Sequence, residues 1–223
     1  MPDRWATFDC YGTLIDWERG LREGYASLWP EAGRERPLRL HHAVEPLVEE
    51  HGGLTYREVL RRCLAAVAAM DGLRVPDGRE GALAESLPAW PPFEEVPGAL
   101  ADLRDRGWRI AILSNTDPDL LSASMDALGV PIDLAITARE AGSYKPAPGH
   151  WERFLAATGA ERGAHVHVAA SLFHDIEPAG RLGLRAVWIN RLGESSDLPR
   201  AAELPDLGDL PDLLDGLAKT PRR

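Results

Sequence analysis

From Pro97 onward the chain repeats one pattern, an amphipathic stretch with apolar residues at helical spacing followed by a short run that is apolar almost throughout. Helix 97–106 precedes Arg109-Ile110-Ala111-Ile112-Leu113, and helix 118–128 precedes Asp133-Leu134-Ala135-Ile136-Thr137. Helix 149–158 precedes His165-Val166-His167-Val168-Ala169, and helix 177–182 precedes Arg185-Ala186-Val187-Trp188-Ile189. Such runs suit strands buried on both faces, and the helices between them supply the crossovers that parallel strands require. The pattern predicts an α/β domain, a parallel sheet covered by helices on both sides. A further strand is expected at the N-terminus, where Trp5, Ala6 and Phe8 lead into a glycine turn.

Between about residues 16 and 87 no convincing strand occurs. Apolar positions recur at helical spacing in Leu21/Tyr25/Leu28, Leu40/Val44/Leu47 and Val59/Cys63/Val67, which reads as an all-helical insert. Thr55 with Glu58 three residues on predicts a capping box, and Gly52-Gly53 the break before it. Pro88-Ala89-Trp90-Pro91-Pro92-Phe93 cannot continue a helix and is expected to be the stiff return from the insert. The boundaries that follow are a core of residues 1–15 and 91–223 and a helical cap of residues 16–90. The tail from Asp197 is expected to hold one last helix and a loose Lys219-to-Arg223 end.

Composition narrows the partners. The 223 residues suffice for one core and a smaller unit, since domains run roughly 100–200 residues. A formal charge of −10 repels phosphate backbones and anionic lipid, so nucleic acid is excluded as a partner. No run approaches the roughly 18 apolar residues of a membrane helix, and Met1-Pro2-Asp3-Arg4 leads straight into a strand, so no membrane association and a cytoplasmic location are expected. The two cysteines, Cys10 and Cys63, are too few for a disulfide framework or a structural zinc site and read as small buried apolar residues.

The polar residues that follow strand ends carry the chemistry, because active sites in open sheets lie beyond the carboxyl ends of the strands. They are Asp9 in Asp9-Cys10-Tyr11-Gly12-Thr13-Leu14, Ser114-Asn115, Lys145 in Ser143-Tyr144-Lys145-Pro146, and Asp175. In this order and spacing the set resembles the haloacid dehalogenase superfamily. There an aspartate nucleophile sits in a D-x-x-G-T-L turn, followed by a Ser or Thr, a Lys and an acidic loop. The resemblance covers the whole chain and implies a Rossmann-like parallel-sheet core with an inserted all-helical cap.

Two branches of that superfamily differ at two positions. Phosphatases carry a second Asp two residues after the nucleophile and a G-D at the fourth motif, where carboxylates hold Mg²⁺. Here those places read Tyr11, a phenol with a reference pKa near ~10, and Val168-Ala169-Ala170-Ser171. The D-x-Y-G-T-L form resembles the metal-independent 2-haloacid dehalogenase (type II) branch, which implies no metal and no cofactor. It implies covalent catalysis on a small carboxylate-bearing organic acid. Asp9 would attack the carbon bearing the leaving group, and water would then hydrolyse the aspartyl ester. Lys145 would keep Asp9 ionised, and Asp175 would orient Lys145 and help activate the water. Thr13, the amides after Asp9, and Ser114-Asn115 would hold the substrate carboxylate, with Tyr11 filling the space a phosphatase gives to metal and acid.

The chain departs from that branch in three places. The Arg expected early in the cap to receive halide falls in Leu38-Arg39-Leu40-His41-His42-Ala43, so Arg39 with a shift, His41 or His42 are the candidates. The Tyr six residues past the Lys is Trp151, and the Asn before the last Asp falls near Leu172, with Ser171 the nearest polar substitute. A phosphatase with an altered magnesium site, and a binding module that has lost activity, remain open.

Several residues also have structural readings. Ser114 and Asn115 could cap the helix that starts at Asp117-Pro118, and Asp175 could cap the one holding Pro178. His174 beside Asp175 invites a catalytic role, whereas His165 and His167 are expected to pack beneath a helix. Trp17 and Trp151 are candidates for pocket walls. An apolar face on the cap would permit a homodimer.

Overall fold

The computed structural model describes residues 3–32, 35–50 and 53–219. Six strands form one parallel sheet: β1 (Arg4–Phe8), β2 (Trp108–Ser114), β3 (Leu134–Thr137), β4 (His165–Ala169), β5 (Arg185–Ile189) and β6 (Ala202–Leu204), in the order β3-β2-β1-β4-β5-β6. The order runs outward in both directions from β1. The cleft beyond the C-terminal ends of β1 and β4 is therefore the topological switch point, where open α/β sheets bind ligands.

Helices α1 (Trp17–Leu28), α2 (Glu35–Glu49), α3 (Tyr56–Met70) and α4 (Ala82–Ser86) lie between β1 and β2 in sequence. They are followed by α5 (Val96–Asp105), α6 (Pro118–Leu128), α7 (Ala138–Ala141), α8 (Gly149–Thr158), α9 (Glu177–Arg181) and α10 (Leu210–Lys219). Alternation along the strands divides the core, since successive side chains point to opposite faces. Ala6, Phe8, Ile110, Ile112, Val166 and Val168 face one layer, which runs on into the insert through Leu21, Tyr25, Leu60 and Leu64. Trp5, Ala111, Leu113, Trp151, Phe154 and Trp188 form the other.

The segments entering and leaving the insert lie side by side. Asp16 N donates to Pro91 O at 2.9 Å and Phe93 N to Leu14 O at 3.1 Å, so the expected stiff return is paired with the outgoing chain. The predicted capping box at Thr55 is half formed. Thr55 accepts from the Glu58 amide, but Glu58 turns away to Arg61 and Arg62, whose guanidinium groups compete successfully for its carboxylate. The complete box is at Thr137 and Glu140. The tail holds α10 as expected and also β6, while residues 220–223 of the expected loose end lie outside the described residues, as does Gly52 of the expected break. Both cysteines are free and buried. No helix among the described residues is long and apolar enough to cross a membrane.

Candidate active site

Strand β1 ends at Phe8, and the next residue, Asp9, starts the turn. Its amide donates to Val168 O on β4 at 3.1 Å, which fixes the backbone at the switch point. Gly12 adopts φ +84°, a left-handed conformation open to glycine at little cost, and the turn closes with Leu14 N donating to Cys10 O at 2.7 Å. That turn folds Thr13 back on the carboxylate, so that Thr13 Oγ1 donates to Asp9 Oδ2 at 2.8 Å and itself accepts from Ala170 N at 2.9 Å.

The other oxygen belongs to Lys145. Its Nζ donates to Asp9 Oδ1 at 2.8 Å, to Asp175 Oδ1 at 2.7 Å and to Leu113 O at 2.9 Å, satisfying all three ammonium hydrogens. Lys145 is 2% exposed and Asp175 fully buried. Burial works against the Lys145 charge, but the two carboxylates outweigh it and raise its pKa. For Asp175 burial again opposes ionisation, and Lys145 and His167 outweigh it to hold the carboxyl well below the usual carboxylate range.

Asn115 lines the cavity and also holds the backbone beside it. Its side chain donates to Lys145 O at 3.0 Å and accepts from Lys145 N at 2.6 Å, so it pins the backbone that carries the lysine. Ser114 caps nothing: it is 1% exposed and its Oγ is buried without a partner. The helix that follows is flanked by Asp117, whose carboxylate instead accepts from Tyr56 N and Arg57 N, each at 3.0 Å, tying the first turn of α3 to the core.

These groups open on a cavity of about 600 Å³ walled by both the core and the insert. Asp9, Tyr11, Ser114, Asn115, Lys145, Ser171 and Asp175 line it from the core, and Trp17, His42, Glu45 and Glu49 line it from the insert. Tyr11 OH meets Ser124 Oγ at 2.9 Å, and burial pushes its phenol further up, so it is poorly suited to act as an acid.

Three expected site residues stand elsewhere. Arg39 is exposed on α2 and lies outside the cavity lining, one helical turn before His42. Trp151 is fully buried behind the site, with its ring edge-on to His167 at 5.3 Å. Thr13 is buried beneath the cavity and reaches it only through Asp9. Of the two candidate histidines, His41 is buried against Tyr25 OH at 2.7 Å, whereas His42 faces the cavity edge-on to Trp17.

Sequence reasoning missed other members. His167 Nε2 donates to Asp175 Oδ1 at 2.9 Å, while its Nδ1 and His165 Nε2 both meet Thr7 Oγ1. The alternation His165-Val166-His167-Val168 was the available signal, because it puts both imidazoles on the face that Thr7 shares. Glu45 and Glu49 gave no signal, reading as the solvent face of a helix. His174 sits in a wide helical turn, Leu172–Ile176, between Ser171 and Glu49.

A divalent cation does not fit this donor set. Ala170 offers no side-chain oxygen where a carboxylate would be needed, and Asp9 and Asp175 are bridged by one ammonium. Hard oxygen ligation of Mg²⁺ commonly depends on such carboxylates. No group of three or more His, Cys, Asp or Glu side chains among the described residues is arranged to hold a metal.

Comparison with known proteins agrees with the geometry. Residues 4–183 match the family model of haloacid dehalogenase-like hydrolases. Haloacetate dehalogenase H-2 of Moraxella sp. (strain B) is 29% identical over 198 residues, spanning 85% of this chain and 87% of that protein. The (S)-2-haloacid dehalogenase of Pseudomonas sp. (strain YL) is 27% identical over 83% of this chain and 82% of its own. The L-2-haloacid dehalogenase of Xanthobacter autotrophicus, crystallised with chloropropionic acid covalently bound, superposes with a TM-score of 0.85 at 21% identity, over 96% of this chain and 99% of that one.

Proposed function

The chain belongs to the haloacid dehalogenase-like hydrolases, and from that premise we propose that it hydrolyses a small carboxylate-bearing substrate through an ester at Asp9, without a metal. The observation that carries this reading is the grip on Asp9. Lys145 and Thr13 take one carboxylate oxygen each, which holds the group oriented beside a buried ammonium. A fixed carboxylate that cannot rotate is prepared for in-line attack on carbon.

In the first step an Asp9 oxygen bonds to the carbon bearing the leaving group, and the leaving group departs with the bonding pair. In the second, water adds to the Asp9 carbonyl carbon, and the bond from that carbon to the substrate oxygen breaks, releasing the hydroxy acid and returning the carboxylate. The unpartnered Ser114 Oγ is a free donor on the core side for the substrate carboxylate. The leaving group would meet His42 on the cavity wall rather than Arg39, which lies outside the cavity. Helices α1 to α4 act as the cap over this chemistry, with residues 16–90 as its extent, and exclude water from the first step. The relatives named for haloacetate and 2-haloacids favour a small organic acid as substrate.

The test is halide release from haloacetate and 2-chloropropionate with and without EDTA, followed by a single turnover in ¹⁸O-labelled water. EDTA-insensitive release with label entering Asp9 is expected. Magnesium-dependent cleavage of p-nitrophenyl phosphate, with no halide released, would overturn the reading.

A further inference from the structure

A second chain of polar groups reaches the same cavity and plays no part in the Asp9, Lys145 and Asp175 contacts. Glu49, the last residue of α2, is 8% exposed, and its Oε2 lies 3.1 Å from His174 Nε2. The other imidazole nitrogen, Nδ1, lies 3.1 Å from Ser171 Oγ, and that oxygen also accepts from the His174 amide at 3.0 Å. Ser171 follows Ala170, whose amide donates to the Thr13 hydroxyl that holds Asp9. The serine is therefore set one residue from the nucleophile's own support, and all three side chains line the cavity.

Hydrolysis of an Asp9 ester needs a group to take a proton from water, and a base works best when its pKa is near the operating pH. Asp175 is poorly suited. Its Oδ1 is occupied by Lys145 and His167 while its Oδ2 has no partner, but these neighbours stabilise its ionised form, so even the free oxygen binds a proton weakly. The Glu49 and His174 pair is better matched. Burial pushes the Glu49 carboxyl up to about 7 against the pull of His174. Burial works against the His174 imidazolium, but the hydrogen bond and charge of Glu49 outweigh it and raise its pKa above the ordinary histidine value. Glu45 faces Glu49 on the same helix, Lys145 and Asp175 face His174 from the core, and the Phe173 ring stands edge-on to the imidazole at 4.9 Å.

We propose that Ser171, His174 and Glu49 form the proton relay that hydrolyses the Asp9 ester, with Ser171 as the group that touches the attacking water. This rests on the Asp9 ester reading above. In the base form Glu49 is ionised and accepts from His174 Nε2–H, and Nδ1 accepts the Ser171 hydroxyl hydrogen. Ser171 Oγ then spends one lone pair on the His174 amide and offers the other to water. As the water oxygen bonds to the Asp9 carbonyl carbon, its proton passes to Oγ while the Ser171 proton passes to Nδ1. When the bond from that carbon to the substrate oxygen breaks, the same path returns the proton to the departing oxygen. The hydroxy acid leaves, and the second water proton is lost to solvent from the regenerated Asp9.

Rapid-quench kinetics with 2-chloropropionate on the full-length protein separates the two steps. In His174→Gln, ester hydrolysis is expected to slow about 100-fold more than halide release, the scale of general-base catalysis. Halide then appears as a burst of one per site, and the ester mass accumulates on the peptide containing Asp9. The wild-type hydrolysis rate is expected to rise with pH through a value above ordinary histidine, a limb that moves down in Glu49→Gln and disappears in His174→Gln. Ser171→Ala removes only a hydroxyl and repeats the test where either pair variant fails to fold. If both steps slow equally, or no ester accumulates, in a variant of an active wild type, the relay is overturned while the Asp9 reading stands. Wild-type protein that releases no halide overturns the Asp9 reading and the relay with it.

Discussion

Lys145 Nζ lies 2.8 Å from Asp9 Oδ1, with both side chains held almost entirely out of solvent. A charged pair at this depth is costly to leave half made, because removing one partner strands the other without water. Lys145→Met would leave Asp9 and Asp175 facing one another with no counter-charge. We expect it to lose about 3–5 kcal/mol of stability, along with halide release. Adding Asp175→Asn should restore much of the stability and none of the activity, since the carboxylate would be relieved but Asp9 would still lack its cation. Urea midpoints of the three proteins check this, and a single variant within about 1 kcal/mol of wild type contradicts it.

The seam between insert and core offers a test of opposite signs. A Cβ at Gly20 in α1 would fall 2.2 Å from the Trp90 ring, whereas one at Gly98 in α5 would meet nothing within 4 Å. Alanine favours a helix interior over glycine by roughly 0.5–1 kcal/mol. At Gly98 that gain is unopposed, and Gly98→Ala should stabilise by up to about that amount. At Gly20 the indole is 4% exposed, hydrogen-bonded to Ser86 Oγ and set against Tyr11, so it has nowhere to move. Gly20→Ala should therefore cost about 1–3 kcal/mol despite the better helix former. Thermal melts of both variants decide it, and shifts of equal sign would refute the packing argument.

The parallel sheet was legible because its central strands are buried on both faces and so read as unbroken apolar runs. Strand β6 escaped for the converse reason: Ala202–Leu204 is short, lies at the sheet edge, and alternates between half-buried and exposed. Asp9 and Asp175 could be placed because each lies just past a strand end, and Lys145 because only the short helix α7 separates it from β3, so the topology brings the three together. The insert's share of the cavity could not. Helical spacing groups His42, Glu45, Pro46 and Glu49 on one stripe, yet nothing in the sequence marks how many turns of that stripe reach the cavity. Arg39, expected from the resemblance, lies one turn before that stripe and outside the cavity, whereas its alternative His42 lies on it. Glu49 reads as half of a solvated Glu49-Glu50 pair until His174, 125 residues away, is packed against it.

Two buried histidines make stability depend on pH in a way that one substitution can isolate. Burial first, and then the neighbouring Lys145 for His150 and His167 for His165, lower both pKa values to about 3. In the unfolded chain each titrates near ~6.5. A base whose native pKa is depressed binds fewer protons folded than unfolded between those limits, so stability rises with pH across the window. It is fully present above the unfolded value and is lost as pH falls. At pH 5 the loss amounts to about 2 kcal/mol for each histidine. Glu49 and His174, whose native values are raised, act with the opposite sign, so the wild-type slope alone is not diagnostic. Comparison with His165→Gln removes them, because both proteins keep that pair. The variant should be less stable at pH 7.5, having lost the imidazole between Thr7 and Phe154. At pH 5 the wild type has given up most of that advantage, so the gap should narrow by about 2 kcal/mol. Urea unfolding at the two pH values measures the gap, and a gap that stays constant would show that His165 is already free to take a proton in the folded protein.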